Sequence, residues 1–232
     1  MHPRLTNRCS RIEPEPPPLL YAWLARGTWF GRIYQRYLGD LAGNQPQGAR
    51  LLDVGTGPGV LMGQINRKRP DLSLVGLDKS YGMISQARRV SKGLGGPLMA
   101  WVVGRAEALP FPSAFFDLVL ATMSLHHWDH PVAAVVEIMR VLKPQGRAWI
   151  YELNRDASLR DIKNYAREEK LPSMLVYLVF NFVRWHSALK EVDFAQVFHR
   201  AGVPEWQLQQ VHHIFWRAEI QIDAFSGRKR LQ

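Results

Sequence analysis

The residues best placed to do chemistry lie in LLDVGTGPGV, Leu51 to Val60, and LVGLDKS, Leu74 to Ser80. In the first stretch Asp53 ends a short apolar run just ahead of Gly55, Gly57 and Gly59. A phosphate-binding loop requires a lysine and a Ser or Thr directly after its last glycine, and Val60 and Leu61 stand there instead. A GxGxxG dinucleotide fingerprint fails as well, because its last glycine would fall on Val60 or Met62. A carboxylate such as Asp53 at a strand end repels a pyrophosphate and attracts a cation, an amino group or a sulfonium. Glycines after it let the backbone approach a ligand closely. Asp78 closes the second apolar run nineteen residues after Gly59. An acid at that place in a doubly wound sheet accepts hydrogen bonds from ribose hydroxyls. The two acids together frame a ligand with a positive end and a ribose, and S-adenosylmethionine has both.

A second chemical stretch is MSLHHWDH, Met123 to His130. Ligands of open α/β sheets collect at the carboxyl ends of strands, so His126 and His127 are the candidates for a base or an orienting residue, with His130 behind them. The alternative is that one packs on the ligand and the other hydrogen-bonds the scaffold. No metal is expected, since adjacent histidines cannot easily share one ion and no third ligand stands at helical spacing.

Short apolar runs alternating with helical stretches position these residues. Strands are predicted near Arg50–Val54, Ser73–Asp78, Leu98–Val103, Phe116–Thr122 and Arg147–Leu153. This is the βαβ signature of a mostly parallel sheet. In the helix Pro131 to Leu142, Val132, Val135, Val136, Met139 and Leu142 share one face, and KPQG stops it. Downstream, a polar helix over DASLRDIKNYAREEK precedes an apolar one over LPSMLVYLVFNFVRWHSALK. A third, EVDFAQVFHRAG, leads into two strands within WQLQQVHHIFWRAEIQID. Upstream, Leu19 to Leu41 reads as two short helices broken near Gly27, and Gly43 to Gly48 as a linker.

Composition sets the outer bounds. At 232 residues, 47% hydrophobic and 22% charged, the chain suits one globular domain with decoration. The net charge is +10, but the basic excess is spread along the chain, which argues against a dedicated nucleic-acid surface. A single cysteine, Cys9, excludes internal disulfides and multi-cysteine metal sites and fits a reducing, cytoplasmic compartment. No run reaches the roughly 18 apolar residues of a membrane span. The leader MHPRLTNRCSRIEPEPPP lacks the apolar core of a secretory signal.

These pieces resemble the class I S-adenosylmethionine-dependent methyltransferases over Arg50 to Leu153. The resemblance is carried by LLDVGTGPG, LVGLDKSYGMISQAR, GRAEALPFPSAFFDLVLATMSLHHW and IMRVLKPQGRAWIYE, in that order. In detail it is nearest to the small-molecule branch that includes the quinone-biosynthesis C-methyltransferases. It implies an α/β, Rossmann-like, doubly wound, seven-stranded, mostly parallel sheet with an N-terminal helical extension and a helical insert before the last two strands. It also implies that Gly55, Thr56, Gly57 and Gly59 line the methionine moiety with Asp53 near its amino group. Asp78 takes the ribose hydroxyls, Lys79 and Met83 flank the adenosine, Ala106 and Glu107 meet the adenine edge, and Met123 borders the pocket. One departure stands out. Arg105 occupies the place of a common aspartate, and a guanidinium cannot accept the adenine amino hydrogen bond.

The expected organisation is a leader over 1–18, a helical cap and linker over 19–49, a cofactor-binding core over 50–155, a substrate-cap insert over 156–189 and a completing segment over 190–232. The apolar insert suggests a small apolar or aromatic methyl acceptor, or contact with a membrane surface. Two alternatives stay open, an RNA methyltransferase and a non-catalytic cofactor-binding partner of another protein.

Overall fold

The computed structural model describes residues 34, 36–38, 45–92 and 99–222. The leader with Cys9 and the break near Gly27 lie outside the described residues. The first element whose bounds are described is β1 (Arg50–Val54), whose Leu51, Leu52 and Val54 are buried. Burying each such side chain stabilises the fold by about 1.5–3 kcal/mol. β1 runs into α1 (Val60–Lys68), then β2 (Ser73–Asp78), α2 (Tyr81–Ser91), β3 (Met99–Val103) and β4 (Phe116–Thr122). A short 3-10 turn, Leu125–His127, precedes α3 (Pro131–Val141) and β5 (Leu142–Leu153). Then come α4 (Leu159–Glu168), α5 (Ser173–Ser187), α6 (Glu191–Ala201), β6 (Trp206–Val211) and β7 (Phe215–Gln221).

The seven strands form one sheet in the order β3-β2-β1-β4-β5-β7-β6. β1 through β5 pair in parallel, and β7 joins β5 and β6 antiparallel. The strand order reverses between β1 and β4, and that reversal opens a crevice at the strands' carboxyl ends. The central strands β1, β4 and β5 are buried on both faces, as the middle of a mostly parallel sheet requires. One core gathers α1, α4 and α5 with Tyr34, Tyr37 and Leu38; the other gathers α3 and α6. Tyr37 is fully buried with its ring 4.1 Å from that of Tyr151 on β5. Its neighbour Arg36 is clamped by Glu168 and Glu169 at the end of α4, and Glu168 also binds His213 of the β6–β7 turn.

Two details depart from the sequence expectation. α3 is rotated, so that Ala134, Val135, Ile138 and Val141 are buried while Val136 is 43% exposed. The helix is apolar almost all round, and only the sheet beneath it fixes which stripe turns inward. β5 starts at Leu142 rather than Arg147. The KPQG segment ends α3 but continues as an irregular strand, in which Gln145 takes φ 66 and the register with β4 shifts between Phe116 and Leu118. Gln145 N–H donates to the Ile222 carbonyl just past β7, which ties the bend to the neighbouring strand.

Candidate active site

The turn after β1 is shaped by three left-handed glycines, Gly55 at φ 77, Gly57 at φ 55 and Gly59 at φ 74. At Gly55 a Cβ would lie 2.5 Å from the Ser124 Cβ, and at Gly59 2.4 Å from the Trp101 ring. The first and last glycines are therefore demanded by conformation and by space. Gly55 and Thr56 N–H both donate to the Leu77 carbonyl, which fastens the turn to β2. Asp78 completes this frame. Its Oδ2 accepts from Gly57 N–H and its Oδ1 from Ser80 N–H, both at 2.9 Å. Ser80, not Asp78, caps α2 by accepting from Met83 N–H, and Met83 is buried in the first turn of that helix.

Asp53 is fully buried, and neither carboxylate oxygen has a hydrogen-bond partner. Burial pushes its pKa up to about 7, with the Thr56 hydroxyl easing that shift and the Asp78 charge adding to it. The Thr56 hydroxyl is itself buried and without a well-formed hydrogen bond. A sealed, unpartnered acid of this kind is costly unless a cation meets it.

The histidines sit on the 3-10 turn after β4. His126 Nδ1 lies 2.8 Å from Glu152 Oε2, and Leu125 N–H donates to Glu152 Oε1 at 2.6 Å. Glu152, near the end of β5, is entirely buried and the His126 side chain is 8% exposed. A carboxylate on Nδ1 selects the tautomer that carries its proton there, which leaves Nε2 as a proton acceptor. The His127 ring packs 4.0 Å from that of His126. Burial of its inner side, then His126 and Lys79, hold the His127 imidazole below its ordinary range, although the residue keeps an exposed edge. His127 is thus held in its neutral form. His130 is exposed ahead of α3, and its backbone N–H donates to Glu107.

Three cross-links bind this histidine loop to β1, to the end of β2 and to the segment after β3. Ser124 Oγ–H donates to the Val54 carbonyl at 2.9 Å. Lys79 Nζ reaches the His127 carbonyl at 3.4 Å. Arg105 pairs with Asp129 and with Glu107, whose Oε1 accepts from Asp129 and His130 N–H. Arg105 is therefore neutralised inside the loop cluster, and Ala106 is buried beside it. Met123, at φ 53, donates its N–H to Tyr151 O and packs on the core that holds Tyr37. Sequence reasoning passed over Glu152, Ser124 and Asp129. For Glu152 a signal existed, since it is the one charge in the otherwise apolar run AWIYEL.

A family model described as a methyltransferase domain matches residues 52–150. An uncharacterized methyltransferase of Bacillus subtilis, YdaC, is 34% identical over 124 residues, which is 53% of this chain and 67% of that protein. The chain belongs to the class I S-adenosylmethionine-dependent methyltransferases. The methyltransferase is also 30% identical over 137 residues to a ubiquinone/menaquinone biosynthesis C-methyltransferase, UbiE, of Stutzerimonas stutzeri. That match covers 58% of this chain and 53% of the relative, so the chain spans about half the length of UbiE. Its fold is shared by a SAM-dependent methyltransferase from Aquifex aeolicus, at TM-score 0.68 and 16% identity, over 90% of this chain and 100% of the other.

The cofactor of this methyltransferase is S-adenosylmethionine. The residues present fit it. Asp53 is a buried acid without a partner, beside a glycine turn that admits no side chain at its first and last positions. Among the described residues no group of three or more His, Cys, Asp or Glu is arranged to hold a metal ion.

Proposed function

We propose that this enzyme methylates a small, apolar or aromatic acceptor whose reacting atom gives up a proton to His126, in the cytoplasm. The observation that carries this reading is the buried His126–Glu152 pair. Bound S-adenosylmethionine supplies a methyl carbon already activated by a positive sulfur, so alignment of donor and acceptor provides much of the acceleration. Asp53 would meet the ammonium of the methionine moiety, with the turn of Gly55, Thr56, Gly57 and Gly59 holding that end. Asp78 would accept from the ribose hydroxyls. Lys79 and Met83 would hold the adenosine, with the backbone of Ala106 and Glu107 at the adenine edge.

His126 Nε2 takes the acceptor's proton, and the Glu152 carboxylate stabilises the imidazolium that forms. An acceptor that must lose a proton early, a phenol or an activated ring carbon, needs such a base. Met123, partly buried, packs beside the histidine loop against the core that holds Tyr37, Tyr151 and Phe215. The C-methylation named for the UbiE relative supports a quinol-like ring as the first class to try.

The test is methyl transfer from labelled S-adenosylmethionine to a panel of apolar phenols and quinols, read as labelled product and release of S-adenosylhomocysteine. Turnover confined to acidic aromatic acceptors is expected. Turnover only with RNA or protein would overturn the reading.

A further inference from the structure

Outside the catalytic crevice, the feature that the function has not absorbed is the outer face of α5. Val176 and Phe180 bury one stripe of this helix in the core. On the rest of its surface Met174, Leu175, Tyr177, Leu178 and Phe182 are between 41% and 73% exposed. Five large apolar side chains within nine residues form a patch of the kind that marks an interaction site.

On the adjoining helix Arg160, Lys163 and Arg167 line an open groove with Leu159 and Asn164. Lys170 stands exposed in the turn between α4 and α5. Arg160, Lys163 and Lys170 have no acidic partner among the described residues. The acids of α4 are already engaged, Asp161 by Ser158, Glu168 by Arg36 and His213, and Glu169 by Arg36. An apolar helical face beside uncompensated lysine and arginine is the pattern of a helix that lies in the interface of an anionic bilayer. At 15 residues α5 is about 22 Å long, and no helix among the described residues is long and apolar enough to cross a membrane.

The place of the helix pair in the chain adds a reason. α4 and α5 leave the sheet after β5 and return to it where Leu189 N–H donates to Leu153 O and Arg155 N–H to Leu189 O. The excursion is thus rooted beside Glu152, at the carboxyl edge of β5. We propose that the α5 face and the basic row of α4 dock this protein on an anionic membrane surface, so that the catalytic edge receives an acceptor dissolved in the lipid. The docking rests on the surface alone. Only the delivery of acceptor rests on the function proposed above.

The experiment is co-sedimentation of the full chain, without cofactor, on vesicles of phosphatidylcholine alone and of phosphatidylcholine with about 30% phosphatidylglycerol. Binding to the anionic vesicles is expected, at least tenfold stronger than to neutral ones and weakened by salt. Leu178→Glu and Phe182→Glu, both on the exposed face, should each reduce it at least tenfold. The double charge reversal Arg160→Glu with Lys163→Glu should abolish the preference for anionic lipid. Retained affinity for S-adenosylhomocysteine shows that each variant is folded. No binding to either vesicle overturns the proposal. So does a concentration-dependent dimer dispersed by Phe182→Glu, which assigns the face to a second copy. A salt-sensitive complex with RNA in place of lipid overturns it too. Vesicle binding by a protein that methylates no apolar acceptor would leave the docking standing and remove only the delivery of acceptor.

Discussion

Asp53 is the residue on which folding and ligand binding conflict most directly. Its pKa in the folded protein, about 7, lies above the ordinary 3.8. The neutral acid therefore favours the fold below pH 4, and that contribution is lost as pH rises through 7, where the fold must bury an unpartnered charge. A cationic ligand reverses the balance by holding Asp53 ionised. Asp53→Asn should raise the melting temperature of the ligand-free protein at pH 8 relative to wild type and leave it little changed at pH 4. It should also weaken S-adenosylhomocysteine binding by about 1–3 kcal/mol. In wild type, calorimetry near pH 6.5 in buffers of different ionisation enthalpy should reveal proton release on binding. Binding without proton exchange, together with an Asn variant of unchanged affinity, would place the cation elsewhere.

Among the elements, the turn between β1 and α1 carries the most constraint per residue. Gly55→Ala puts a Cβ against Ser124 at a φ of 77 and threatens the Ser124 bond to Val54. The expected cost is about 1–3 kcal/mol of stability, with a loss of cofactor affinity, read by thermal melts and calorimetry. A variant with native stability and affinity would show that the turn tolerates rearrangement. The strands were legible in sequence where apolar runs end abruptly. β1, β2 and β4 stand where Asp53, Asp78 and the glycines and polar residues around them punctuate the pattern. The helical face of α3 was not, because Val132 to Val141 offers almost no polar side to set its rotation. The start of β5 was hidden because KPQG carries turn residues that here form a bulge inside a strand. Glu152 was missed for a related reason. A buried acid inside an apolar strand has no neighbour in sequence that explains it, and its partner His126 comes 26 residues earlier.

Across the whole molecule, the parallel order β3-β2-β1-β4-β5 brings Asp78, Asp53, the histidine loop and Glu152 to one edge of the sheet. Bonds from Ser124 and Lys79 then tie the histidine loop to the strands that hold Asp53 and Asp78, and Arg105 ties it to the segment after β3. Cofactor turn and proposed base are thus parts of one hydrogen-bonded frame, and the base can be removed without touching the cofactor residues. The most direct measurement compares wild type, His126→Ala and Glu152→Gln in single-turnover methyl transfer to the best acceptor, with S-adenosylhomocysteine affinity measured in parallel. A rate loss of about 10²–10⁴-fold is expected for His126→Ala, a smaller loss for Glu152→Gln, and cofactor affinity within about twofold of wild type in both. Transfer by His126→Ala at the wild-type rate would contradict the role of His126 as base.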